Sequence, residues 1–352
     1  MDRKQYIILT VLAAFNGERS IFGAYHVLQG KKSAQTIQDQ SLFMISSYFG
    51  LFPKWSRDDF IFEVKKLIAL NYIEKFNKDR VKLTKCGIQT YEQKKATNNF
   101  AHDLNGWKYH KWSRIVWLRL ALYIQSLSFL ISKEPKFYPL TQRYSVQQWV
   151  KKHLPKDSEI QKQQFVQIHN ELKSILDDCE TGQAKAFTYQ LSSKNNIGKT
   201  KKQIAEEMTT SEDIIALLHK SVIHKICNLA QNETAYPMLH LFVNDIEGQI
   251  ILTDSTKKTY ELIQRGLSLN DIMNRRQLKK STIEDHIVEM AYAGVPFQYK
   301  LFITEKAENE IIHCIEQLRT TKLRVIKEHL NDTVTYFMIR LVIAIRKVHY
   351  ES

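Results

Sequence analysis

Only 11 glycines and 6 prolines punctuate a chain of 352 residues, and this scarcity constrains the fold more than any other feature. Glycine and proline supply the special backbone angles that tight turns need. A chain poor in both is ill suited to a turn-dense β-sandwich or a glycine-rich nucleotide fold, so long helices joined by short polar links are expected. No fixed-period repeat covers the chain, but one pattern recurs: a helix, a short polar turn and a second helix. The expected fold class is mainly α: a multi-module helical protein with an N-terminal winged helix and further helix-turn-helix units.

The first expected module is 1–97. Ile7, Ile8, Val11, Leu12 and Phe15 recur at the spacing of one buried helix face over 4–15, and 20–28 and 36–49 are further helix candidates. Ser56 and Asp59 form a capping-box pattern ahead of Phe60, Val64, Leu67 and Ile68, which predicts a helix over 57–70. Residues 72–76 and 80–83 then alternate apolar with polar around Asn77-Lys78-Asp79, the pattern of a β-hairpin. Helices followed by a small basic hairpin describe a winged helix. Its last helix can enter a major groove while the wing cations Lys75, Lys78, Arg80 and Lys82 touch phosphate. Such modules also dock proteins, and hairpin charge is often only solvated surface.

The second expected module is 98–250. Trp107, Trp112 and Trp117, followed by Leu118, Leu120, Leu122, Ile124 and Leu127, predict an apolar helix over 111–131. Such a stripe is usually core, because a base-stacking platform needs exposed rings. Gly198-Lys199-Thr200 ends as a phosphate-binding loop does, after a candidate strand at 187–191, but Ser193 stands where the leading glycine belongs. The run 241–245, apolar and ending in Asp245, is a candidate magnesium-binding strand. A helix-turn-helix over about 198–227 accounts for the same residues better. There Ala205 permits a close helix crossing, Ser211 caps the second helix, and that helix either reads DNA or packs against the aromatic one.

The third expected module is 251–352. Helices are predicted over 256–265, 269–273 and 281–290, with a turn at 277–280. Ile283, Ile287 and Met290 should face Leu262, Ile272 and Leu278, leaving Lys279, Lys280, Ser281, Thr282, Asp285 and His286 at the outer amino-terminal end of the third helix. That is the position where a recognition helix meets bases and phosphate. Arg275 and Arg276 precede it as backbone clamps. Glu284, Asp285 and Glu289 compete, because carboxylates repel phosphate. Arg324, Lys327, Arg340, Arg346 and Lys347 form a candidate second basic surface, and Asn331-Asp332-Thr333 is expected to cap the last helix.

Lys and Arg number 51 against 37 Asp and Glu, a formal net charge of +14. By count, 1–97 hold sixteen cations and nine acids, a surplus of seven, half of the total. That balance favours a polyanionic partner without choosing DNA over RNA. Cys86, Cys179, Cys227 and Cys314 form no CxxC pair, so neither a zinc site nor a disulfide framework is expected. With no leader pattern and no apolar run of spanning length, a soluble cytoplasmic, nucleoid-associated protein is expected. No catalytic residues, cofactor or metal are expected, since HExxH, clustered ligands and nucleophile motifs are all missing.

The run Thr259-Tyr260-Glu261-Leu262-Ile263 with Gly266-Leu267-Ser268-Leu269, Arg276, Leu278 and Ser281-Thr282-Ile283-Glu284-Asp285-His286 resembles the C-terminal helix-turn-helix segment of RecQ-type helicases. Leu323-Arg324-Val325-Ile326-Lys327 and Ile339-Arg340-Leu341-Val342 extend that likeness. The whole chain, including Lys32-Ser33-Ala34-Gln35-Thr36 and Tyr48-Phe49-Gly50, resembles the YpbB family of Firmicutes, helix-turn-helix proteins whose gene usually neighbours one for a RecQ-type helicase. The resemblance implies a non-catalytic accessory DNA-binding protein acting with a RecQ-type helicase in recombination or repair, on duplex, forked or single-stranded DNA. Helicase activity does not carry over, because there is no complete P-loop and no acidic helicase box. The alternative is a helix-turn-helix transcriptional regulator, which would need a dimer that no heptad seam announces.

Overall fold

The computed structural model describes residues 1–245, 252–318, 320 and 322–351, the side chains of 347–351 excepted. Helices dominate, and the sheet among the described residues is one two-stranded hairpin. The chain packs as two compact units, Met1–Lys31 with Ile45–Gln249, and Lys32–Met44 with Ile250–Ser352.

The chain begins with α1 (Arg3–Phe15), α2 (Ile21–Gln29), α3 (Ala34–Leu42) and α4 (Arg57–Ala69), then the hairpin β1 (Ile73–Asn77) and β2 (Arg80–Leu83), then α5 (Lys85–Lys95). Capping boxes start α1 at Asp2 with Gln5 and α4 at Ser56 with Asp59. The expected apolar stripe of α1 is buried, as are Phe60, Val64 and Leu67 of α4. In the hairpin Ile73 pairs with Leu83 and Glu74 with Lys82, which turns Ile73 and Val81 inward. A Cβ on Gly87 would fall 1.8 Å from the Tyr72 carbonyl oxygen, so glycine lets α5 close onto the hairpin. The helix expected over 36–49 ends at Leu42, and Met44 takes a left-handed φ of 54° before a 3-10 turn at Ser46–Tyr48.

The first unit continues through α6 (Gly106–Tyr109), α7 (Ser113–Ile131), α8 (Tyr144–His153), α9 (Ser158–Asp177), α10 (Thr181–Thr188), α11 (Lys201–Glu207), α12 (Glu212–Leu229) and α13 (Pro237–His240). The helix α12 is central and packs against α7, α9, α10 and α11. Its Val222, Ile223 and Ile226 meet Leu120, Tyr123 and Leu127 of α7 and Ile168 and Leu172 of α9. The hairpin-bearing segment is tied to the same helix. Trp55 Nε1 donates to Asp213 at 2.9 Å, and Lys220 Nζ donates to the carbonyls of Gly50 and Leu51 at 2.9 and 2.8 Å. The expectation that no apolar run reaches spanning length needs correction. Nineteen-residue α7 is long and apolar enough to cross a membrane, although half of that stretch is buried inside the unit.

The second unit holds α14 (Asp254–Gln264), α15 (Leu269–Arg276), α16 (Lys280–Tyr292), α17 (Glu305–Leu318), α18 (Leu323–Glu328) and α19 (Tyr336–Glu351), with α3. Around α16 lie α14, α19 and α3. Ile283, Ile287 and Met290 pack with Ile311, Ile326, Ile339 and Val342. Residues 32–44, read from sequence as part of the first module, belong here because α3 packs on α16, a contact no local pattern encodes. Thr335, not the expected Asn331-Asp332-Thr333, meets the start of α19, accepting from Met338 N at 3.3 Å. Asn331 Oδ1 instead accepts from Thr333 N at 3.0 Å.

Candidate nucleic-acid interface

Three helices build the site, and the first two are capped by side chains. Thr253 caps α14, and Ser268 with Asp271 forms a capping box on α15. The link to α16 is tight because Gln277 takes φ 51°, the left-handed region, and reverses the chain in one residue. Leu262, Ile272, Ile283, Ile287 and Met290 are buried and Leu278 is half-buried, so the helices pack on the face their spacing predicts. Lys279, Lys280 and Ser281 are exposed at the start of α16, Thr282 is half-buried, and Arg275 is exposed on α15. Lys279 sits at the N-cap with no side-chain capping bond, leaving the positive end of the helix dipole uncovered by a carboxylate of its own first turn.

Two expected contacts turn inward instead. His286 is 7% exposed, because it lies three residues beyond Ile283 and so shares the buried face. Its Nδ1 is 2.8 Å from Thr259 Oγ1, and burial, aided by the Arg276 charge, pushes its pKa down to about 4, so the ring is neutral. Arg276 donates from Nη1 to the Ser255 carbonyl at 2.6 Å and to Thr259 Oγ1. Thr259 thus joins Arg276 of α15 to His286 of α16 across α14, a polar strut that fixes the angle of the exposed helix end.

The competing carboxylates are also accounted for. Glu289 is buried and accepts from Thr253 N, from Thr253 Oγ1 at 3.1 Å and from Thr256 Oγ1 at 2.6 Å; burial raises its pKa and these bonds oppose the rise. Asp285 accepts from Arg340 Nη1 at 2.7 Å. Glu284, its pKa raised mainly by burial, lies 3.9 Å from Lys280 Nζ. Residues 55 apart in sequence make the Asp285–Arg340 pair, and no motif announced it.

In the first unit Lys75, Lys78 and Arg80 are exposed on the hairpin. Lys82 is half-buried, with its ammonium 4.1 Å from the centroid of Phe76. The helix before this wing opens with exposed Asp58 and Asp59, charges unsuited to a groove lined with phosphate. The other expected recognition helix, α12, is buried along most of its length, and His219 meets Trp117 edge-to-face at 4.5 Å. Of the two roles left open for it, packing against the aromatic helix is the one observed. The loop-like Gly198-Lys199-Thr200 serves structure too: Thr200 caps α11 and Lys199 pairs with Glu207. Residues 187–191 end α10 and follow it in a turn instead of forming a strand, while Asp245 holds Arg119 in a bidentate pair at 2.7 and 2.8 Å. No group of three or more His, Cys, Asp or Glu suited to a metal occurs among the described residues.

A helix-turn-helix domain model matches residues 255–343. The protein YpbB of Bacillus subtilis (strain 168) is 30% identical over 350 residues, spanning 98% of this chain and 98% of its own length. The chain belongs to the YpbB family. No solved structure matches it.

The matched segment in this YpbB-family chain begins inside α14 and closes inside α19, so it takes in nearly all of α14, all of α15 to α18 and about half of α19. It also covers most of the candidate second basic surface, whose cations are engaged. Arg324 pairs with Glu328 at 2.8 Å, Lys327 with Asp332 at 3.7 Å, Arg340 with Asp285, and Arg346 with Glu316 at 2.8 Å. The Lys347 side chain lies outside the described residues.

Proposed function

We propose that this protein binds DNA through the amino-terminal end of α16. Lys279, Lys280, Ser281 and Thr282 meet the groove and phosphates, Arg275 clamps the adjoining backbone, and Arg276 and His286 act as positioning residues behind them. One observation carries the reading: each of the three carboxylates on α16 that would repel phosphate is buried, ion-paired or drawn toward a lysine, while Lys279, Lys280 and Arg275 stay exposed. The wing cations Lys75, Lys78, Arg80 and Lys82 supply a further phosphate contact. The role is non-catalytic, and the finer assignment, an accessory subunit of a RecQ-type helicase in recombination or repair, rests on the family resemblance.

The test is binding of the full chain to single-stranded, duplex and forked DNA over a salt series, with and without the helicase, beside Lys279→Glu/Lys280→Glu. Each neutralised phosphate contributes about 0.9 to the slope of log affinity against log salt, so the double variant should lose roughly two units of slope and bind more weakly. An unchanged slope would remove α16 as the contact. Unaltered binding in the presence of the helicase would remove the accessory role and leave DNA binding standing.

A further inference from the structure

Exposed aromatic rings do occur in this protein, away from the tryptophan stripe. Tyr138 is 94% exposed and Tyr144 73% exposed, in the loop after α7 and at the first residue of α8. Single exposed rings are ordinary on a protein surface. This pair is set apart by how the chain holds it and by the charge around it.

The Gln125 side chain is buried in α7, and its amide holds the backbone just after Tyr138, on either side of Pro139. Its Nε2 donates to the Tyr138 carbonyl at 3.2 Å, and its Oε1 accepts from Leu140 N at 2.9 Å. Next to it Phe137 stacks on Phe129, centroids 4.7 Å apart and planes 16° apart, so consecutive aromatic residues point one inward and one outward. Gln147 of α8 donates to the Thr141 carbonyl at 2.9 Å and ties the loop to the helix. The loop is therefore fixed, and ordering Tyr138 on binding costs little backbone entropy.

On α8, Val146 and Val150 are buried, while Tyr144, Gln148, Lys151 and Lys152 are exposed at spacings of four, seven and eight, one face of the helix. From 133 to 152 the sequence holds five cations, Lys133, Lys136, Arg143, Lys151 and Lys152, and one acid, Glu134. All five are exposed and none has an ion-pair partner among the described residues, whereas Glu134 is taken by Lys194. Rings flanked by unneutralised cations match the alternation of base and phosphate along a single strand.

We propose that the loop at 133–143 and the exposed face of α8 form a stacking site for single-stranded nucleic acid, with bases on Tyr138 and Tyr144 and phosphates on Lys136, Arg143, Lys151 and Lys152. This site lies outside the helix-turn-helix segment and does not depend on the role given to α16.

The experiment measures fluorescence anisotropy of labelled oligo-dT and oligo-U with the full chain and with Tyr138→Ala/Tyr144→Ala, Tyr138→Phe/Tyr144→Phe and Lys136→Glu/Arg143→Glu. Each lost stack should weaken binding about five- to a hundredfold, while the phenylalanine pair, which keeps both rings, should bind as the wild type does. The charge-reversed pair should bind more weakly with a shallower salt dependence. A preference between the two oligomers supports the site and identifies its source as DNA or RNA. Failure of the full chain to bind either oligomer, wild-type binding by the alanine pair, or equal losses in the alanine and phenylalanine pairs would each overturn the proposal. Duplex binding reports separately on α16: it should survive the tyrosine substitutions and fall in Lys279→Glu/Lys280→Glu.

Discussion

Replacing Lys220 with methionine should flatten the pH dependence of the first unit's stability. The ammonium of Lys220 is enclosed where α12 meets the turn at Gly50 and Leu51, and burial, with the nearby Lys201 charge, brings its pKa from 10.5 down to about 7. The unfolded chain keeps this proton up to about pH 10.5, whereas the folded chain releases it near 7. Stability from this group is therefore full above the higher value and is lost as pH falls through the lower one. Each unit of pH in that window is worth about 1.4 kcal/mol, so between pH 7 and pH 9 the wild type should gain about 2 kcal/mol from Lys220 alone. Buried Cys227, with a pKa pushed up to about 12, works in the opposite direction, but it is common to both proteins and cancels in the difference. Removing the amine also strips the Gly50 and Leu51 carbonyls of a donor, at about 1 to 3 kcal/mol per buried group. For that reason the decisive quantity is the slope and not the absolute stability. Urea unfolding at several pH values in that range, followed by tryptophan fluorescence, gives it directly. Equal slopes for the wild type and Lys220→Met would refute the reasoning.

Arg340→Ala should release the Asp285 carboxylate beside the exposed end of α16, lowering DNA affinity as well as costing about 2 kcal/mol of second-unit stability. Full affinity in a folded Arg340→Ala protein would mean that shielding of Asp285 is irrelevant to binding. Glu171→Ala removes the carboxylate that accepts from Met238 N at 3.1 Å and Leu239 N at 2.8 Å at the start of α13, and denaturation should register a loss of about 2 to 3 kcal/mol. Gly87→Ala must push α5 off the Tyr72 carbonyl, and a thermal melt should show a cost of about 1 to 3 kcal/mol or more. An unchanged melting temperature would show that α5 is free to shift.

The local features were legible because they depend on neighbours in sequence. Ser56 with Asp59 marked α4 to within a residue, the alternation around Asn77-Lys78-Asp79 gave the hairpin, and the apolar spacing located α14, α15 and α16. Lys279, Lys280 and Ser281 were also placed on the outside by periodicity alone. The same logic failed at His286 when the residue was judged by its polarity instead of its position, since an imidazole can be buried when a hydroxyl such as Thr259 Oγ1 receives it. It left the role of α12 open because an apolar recognition helix and an apolar core helix have the same period.

Sequence by itself determined the helical class, the hairpin, the caps and the basic surplus, all consequences of residue chemistry read over a few turns of chain. Only the tertiary structure decided which helices are surface and which are core. It joined α3 to α16 across more than two hundred residues, buried α12, paired Asp285 with Arg340, and held Tyr138 outward on the amide of Gln125. The physical reason is that burial and charge pairing depend on what lies across the packing interface, and residues distant in sequence leave no periodic trace of one another.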